Sequence, residues 1–104
     1  MEIQVNTDNT IEGSERMTAY FTETLQEALS RFEDRIADVQ VHLSDENGKK
    51  ESGNDKRCLL KVRLKGLKDV VVSNNADTID IAVSGAIDKL IKSIDGSIEK
   101  LRKY

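Results

Sequence analysis

Between Ile79 and Leu101 the apolar residues Ile79, Val83, Ile87, Leu90, Ile94, Ile98 and Leu101 recur at spacings of three and four without a break. On an α-helix that spacing makes one stripe roughly six turns long. Such a stripe must be buried against a broad apolar surface, which the rest of the chain has to supply. The β-branched content is high for a helix, but periodicity over that length outweighs residue propensity. The pattern predicts a helix over about 77–103, capped by Asn75 or Asp77.

Elsewhere the period alternates between helix and strand. Ile3 and Val5 alternate with polar neighbours and give a short first strand. Met17, Phe21, Leu25, Ala28, Leu29 and Phe32 return to three-and-four spacing after Gly13-Ser14, predicting a first helix over about 15–33 with Ser14 as its cap. From Ile36 the period becomes two, with Val39, Val41 and Leu43 on one side and Gln40, His42 and Ser44 on the other. Residues 45–55, with Asn47-Gly48 and Gly53, carry no periodic apolar residue and read as a long loop joining neighbouring strands. Alternation resumes with Cys58, Leu60, Val62 and Leu64 opposite Arg57, Leu59, Lys61, Arg63 and Lys65. After a turn at Gly66-Leu67-Lys68-Asp69, Val70-Val71-Val72 forms a fourth strand whose register three consecutive valines leave open.

Each element thus has one apolar face. The economical assembly is an α+β two-layer sandwich, a four-stranded sheet with two helices on one face, in the order β-α-β-β-β-α. Nothing in the sequence divides it, so residues 1–104 are expected to form a single domain.

Composition narrows the function. One cysteine and one histidine leave no disulfide and no Cys/His cluster for a metal. Cys58 is in phase with the core side of its strand and His42 with the outward side of another, so the two do not pair as nucleophile and base. His42 could stack on RNA or could simply be an exposed strand residue. Gly48 and Gly53 lack the spacing of a phosphate-binding loop. No segment approaches the roughly 20 apolar residues of a membrane span, and Met1–Val5 does not resemble the start of a signal peptide, so a cytoplasmic location is expected. The expectations are no catalytic residues, no metal, no cofactor and no small-molecule substrate.

Charge is more telling. The net value of −3 conceals an acidic first part and a basic second one: residues 1–46 hold 3 basic against 11 acidic side chains, residues 47–104 hold 13 against 8. Since phosphate responds to the field within about a Debye length, roughly 8 Å, an acidic protein with a basic face can still bind nucleic acid. At about 100° per residue with Leu90 at the centre of the stripe, Lys89, Lys92, Lys100 and Lys103 fall on one flank of the second helix together with Gly85 and Gly96. Asp88, Asp95 and Glu99 fall on the other. Small residues among lysines would let a phosphate backbone approach closely, although ordinary solvated charge pairing explains the same residues. The strand row Arg57, Lys61, Arg63 and Lys65 is a second basic candidate, equally readable as protection of exposed sheet. The first helix exposes Glu15, Glu23, Glu27 and Glu33, with Arg31 near Tyr20 and Thr24.

Taken in order, Ile3-Gln4-Val5, Met17-Thr18-Ala19-Tyr20-Phe21, Leu25, Arg31-Phe32 and the run Ile36 to Leu43 resemble the ribosome hibernation promoting and ribosome-associated inhibitor family, the sigma-54 modulation proteins. Asp55-Lys56-Arg57-Cys58, Val70-Val71-Val72, Ala76-Asp77-Thr78-Ile79-Asp80 and Ala86-Ile87-Asp88-Lys89-Leu90 continue the resemblance through the chain. It implies a non-enzymatic, stress-associated protein that occupies the small ribosomal subunit, contacts its rRNA, and inhibits translation or promotes hibernation. Family members use basic residues of the two helices, a pattern that Lys89 and Lys92 match and that Lys100, Arg102 and Lys103 extend. Helix one departs from it: Glu23-Thr24 stands where relatives often carry lysine, leaving Arg31 as the helix-one contact. The chain ends at Tyr104, as in the short members. A protein-binding regulator that uses the acidic first helix and the 45–55 loop on a basic partner is the alternative.

Overall fold

The computed structural model describes residues 1–8, 15–45 and 55–102, the Arg102 side chain excepted. Ser14, Asn47-Gly48, Gly53 and Lys103 lie outside the described residues. Four strands form one sheet, β1 (Glu2–Thr7), β2 (Ile36–Asp45), β3 (Lys56–Leu64) and β4 (Val70–Ala76), in that spatial order. Helix α1 (Glu15–Ala28) joins β1 to β2, and α2 (Ile79–Arg102) follows β4. A parallel pair needs a long crossover, and α1 provides it between β1 and its parallel neighbour β2. The β2–β3 and β3–β4 pairs are antiparallel.

The inward side chains of β2 and β3, Val39, Val41, Leu43, Cys58, Leu60, Val62 and Leu64, are buried together with Phe21, Leu25, Leu29 and Phe32 from the first helical segment. From α2 come Ala82, Val83, Ala86, Ile87, Leu90 and Ile94. Full burial of each large side chain among them is worth about 1.5–3 kcal/mol. Among the described residues no element covers the opposite sheet face, which presents Gln4, Gln40, His42, Lys61, Arg63 and Val71. The two-layer α+β order read from periodicity is the observed one.

Four local readings change. The first helix stops at Ala28, and Ser30–Phe32 form a separate 3-10 turn, so the apolar spacing of Leu29 and Phe32 spans a bend in the chain. Arg31 is therefore not on α1. Ile36 and Val39 are both buried although three residues apart, because a bulge shifts the register between Ile36 and Asp38 and places an extra residue there. Strand β4 runs on through Asn74 and Asn75 to Ala76, with Val71 57% exposed and Val70 and Val72 turned toward the helices. Where the sequence points to Asn75 or Asp77 as the cap of α2, Thr78 takes the N-cap position, its hydroxyl accepting from the Ile81 N–H at 3.2 Å. At the far end of the stripe Leu101 is exposed. The turn between β3 and β4 contains Gly66 at φ 73°, a left-handed conformation that glycine adopts without a Cβ clash.

Candidate nucleic-acid interface

The pleat and the helical period decide where each charge goes. On α2, Lys89, Lys92 and Lys100 are exposed along one flank. Lys89 reaches the β4 edge, where its Nζ donates to the Ser73 carbonyl at 2.9 Å. That bond fixes the flank's direction, toward β4 and away from α1. Donation to a neutral carbonyl leaves the ammonium charge in place, and none of the three lysines is ion-paired among the described residues. Lys103 continues this flank in sequence but is not described, and of Arg102 only the backbone is.

The two glycines of the flank differ. A Cβ on Gly85 would stand 2.1 Å from Asn74 Nδ2, because the Asn74 side chain lies against the helix there and donates to the Ala82 carbonyl at 3.3 Å and the Ile81 carbonyl at 3.5 Å. Gly85 thus admits a β4 side chain, not an external backbone. At Gly96 nothing lies within 4 Å of a Cβ. Lys92 and Lys100 stand one turn to either side of it, so the helix backbone is open to a ligand at that point.

The β3 row is on the uncovered sheet face, opposite the helices, and does not join the lysine flank. Within it Arg63 is taken up by Asp38, with Nε at 2.6 Å and a guanidinium nitrogen at 2.5 Å. The two residues are register partners, a pairing that opposite charges directly across a strand pair favour. Lys61 is exposed, Arg57 half-buried, and Lys65 lies just past the strand, its N–H bonded to the Arg35 carbonyl at 2.8 Å. At the end of this hairpin Lys56 bridges Asp45 at 3.0 Å and Asp55 at 3.1 Å. Their side-chain hydrogen bonds hold the Lys56 ammonium above its usual pKa.

Arg31 is in a third place. Its guanidinium binds Asp95 on the acidic flank of α2 at 2.8 Å and lies 4.4 Å above the Phe32 ring. It lies on the acidic flank and not among the lysines. The bend after Ala28 puts it there, a displacement that uninterrupted helical spacing could not reveal.

Cys58, expected on the core side of β3, is fully buried, and burial pushes its thiol up to about 12. His42 is exposed on the other face, paired in register with Leu59. Among the described residues no group of His, Cys, Asp and Glu is arranged to hold a metal ion, and no helix is long and apolar enough to cross a membrane.

The arrangement offers phosphate a line of exposed cations beside an accessible helix backbone. The profile of the Sigma 54 modulation protein / S30EA ribosomal protein family matches residues 3–102. Two solved structures share the fold. The Protein Y N-terminal domain of Thermus thermophilus superimposes with a TM-score of 0.72 at 22% identity, over 90% of this chain and 96% of that one. A ribosomal subunit interface protein from Coxiella burnetii gives 0.71 at 17% identity, over 92% and 96%. No curated protein matches the sequence.

Proposed function

The chain belongs to the Sigma 54 modulation protein / S30EA ribosomal protein family, and on that premise we propose that it is a cytoplasmic, non-enzymatic protein that binds rRNA of the small ribosomal subunit and holds ribosomes idle under stress by occupancy. The observation that carries this reading is the lysine flank of α2: Lys89, Lys92 and Lys100, without a carboxylate partner among the described residues, around the open backbone at Gly96. Lys103 extends that flank in sequence, and Arg102 beside it is a further basic candidate. Lysines act on phosphate as point charges, so the contact positions the protein without reading bases. Inhibition is then steric, since a protein seated where translation ligands pass needs no bond-making group. Lys61 and Lys65, with Arg57, form a secondary basic face; Arg63 contributes less, because Asp38 already neutralises it.

Sedimentation of the tagged protein with ribosomes from stationary cells tests the reading. Recovery in ribosomal fractions at low salt is the expected result, and absence there would sink it. If binding occurs, Lys89→Glu combined with Lys92→Glu reduces the log–log salt slope of association by roughly 2. An unchanged slope removes these two residues from the interface.

A further inference from the structure

The acidic flank of α2 has a surface of its own. Between it and α1 lies an open cleft of about 310 Å³. Its floor is apolar, from Phe21, Val83 and Ile87, and Asp80 and Asp88 stand on its α2 side. Across it Tyr20 is 58% exposed, meeting Phe21 edge-on at 5.2 Å and 69° and leaving much of its ring to solvent. Glu23 and Glu27, also exposed, lie one helical turn from Tyr20 and Thr24. None of the four carboxylates is ion-paired among the described residues. The only basic residue on α1 is Arg16, a turn before Tyr20.

We propose that this cleft docks a lysine- or arginine-rich protein segment, seating one apolar side chain between the helices while its cations meet the carboxylates of both rims. Charge complementarity selects the occupant. Four carboxylates around an apolar floor repel phosphate and attract a cation, and the exposed Tyr20 face adds a cation–π surface for it. At the small end of the roughly 300–1,000 Å³ range of ligand pockets, the cleft suits a side chain better than a cofactor. A larger hollow of about 800 Å³ around Arg31, Arg35, Asp95 and Glu99 carries both signs of charge and selects no partner. The cleft is on the side of α2 away from the lysines, so its occupancy neither requires nor opposes rRNA binding on that flank.

The test is a titration of the isotope-labelled full chain with a short peptide alternating lysine and leucine, read at the backbone amides. Shifts concentrated in residues 20–28 and 80–88 support the cleft. Asp80→Asn with Asp88→Asn should weaken binding roughly three- to tenfold, as for two rim charges. Ser84→Phe, which fills the cleft without altering charge, should weaken it at least as much, and Tyr20→Ala replaces it if Ser84→Phe lowers the melting temperature. Shifts spread over acidic residues elsewhere, unchanged affinity in the filled variant, or the same amides responding to an RNA oligonucleotide would each overturn the proposal. So would the same shifts on concentrating the free chain, which would make a second copy the occupant.

Discussion

The two flanks of α2 share a backbone and one apolar stripe yet present opposite chemistries. On the lysine flank, Lys89, Lys92 and Lys100 are exposed, and Lys89 extends its ammonium onto the carbonyl edge of β4, Val70–Ala76, a strand without a single charge. On the other flank, Asp80 and Asp88 line a cleft with α1, whose exposed residues include Glu15, Glu23 and Glu27, and Asp95 pairs with Arg31 beyond the end of that helix. The difference shows that the relevant electrostatic unit is a flank, a few ångströms wide, and not the chain. Each field is strongest within a few ångströms of its own charges, so one helix can offer a phosphate site and a cation site on different flanks.

The largest effect comes from removing what holds both flanks. Leu90 is fully buried at the centre of the stripe, and Leu90→Ala should cost about 2–5 kcal/mol. For a domain of this size that lowers the melting temperature by more than about 10 °C. Both flanks should lose their ligands together as the chain unfolds. A small loss in a thermal melt would mean that the helix does not depend on this contact, and the shared-stripe account of the two flanks would fail.

A sharper contrast lies within the lysine flank. Replacing an interior helical glycine by alanine ordinarily gains about 1 kcal/mol. At Gly96 the new methyl meets nothing, so Gly96→Ala should raise stability by roughly that amount. At Gly85 it displaces Asn74 from its two carbonyl partners, costing about 1–3 kcal/mol for the lost bonds and crowding. Gly85→Ala should therefore be neutral or destabilising, and the two alanines should differ by about 2 kcal/mol in denaturant melts. Equal effects would show that β4 does not press on α2 at Asn74.

These glycines also mark the limit of what the sequence discloses. The period of two in the strands and of three and four in the helices disclosed the four strands, the two long helices and most of the core, because burial on one face repeats along an element; the 3-10 turn Ser30–Phe32 was hidden inside the helical spacing. The wheel angles likewise separated lysines from carboxylates on α2. Contacts between elements have no such period. Gly85 and Gly96 occupy nearly the same helical angle, and only the crossing of β4 distinguishes them. Arg31 read as a helix-one cation because Phe32 kept helical spacing through the 3-10 turn, and the Arg63–Asp38 pair required the β2–β3 register. A search for opposite charges at candidate register positions could have found the last of these; nothing in the local sequence signals the other two.

The smallest effect concerns Arg31, a cation paired to the acidic flank. The Arg31–Asp95 pair is exposed, 61% and 50% by side chain, so breaking it with Arg31→Met should change stability by less than about 1 kcal/mol. Its meaning for binding is carried by sign. If Arg31 contacts phosphate, it must leave Asp95 to do so, and Asp95→Asn, which weakens the competing partner and removes a nearby negative charge, should tighten rRNA binding a few-fold while Arg31→Met weakens it. If Arg31 serves only to tie the 3-10 turn to α2 across the Phe32 ring, Arg31→Met leaves rRNA affinity and its salt slope unchanged. Measuring both variants over a range of salt separates these outcomes, because Asp95→Asn alone could tighten binding through the general field. Opposite shifts would extend the phosphate interface around the helix to the acidic side. No response to Arg31→Met would confine it to the lysine flank.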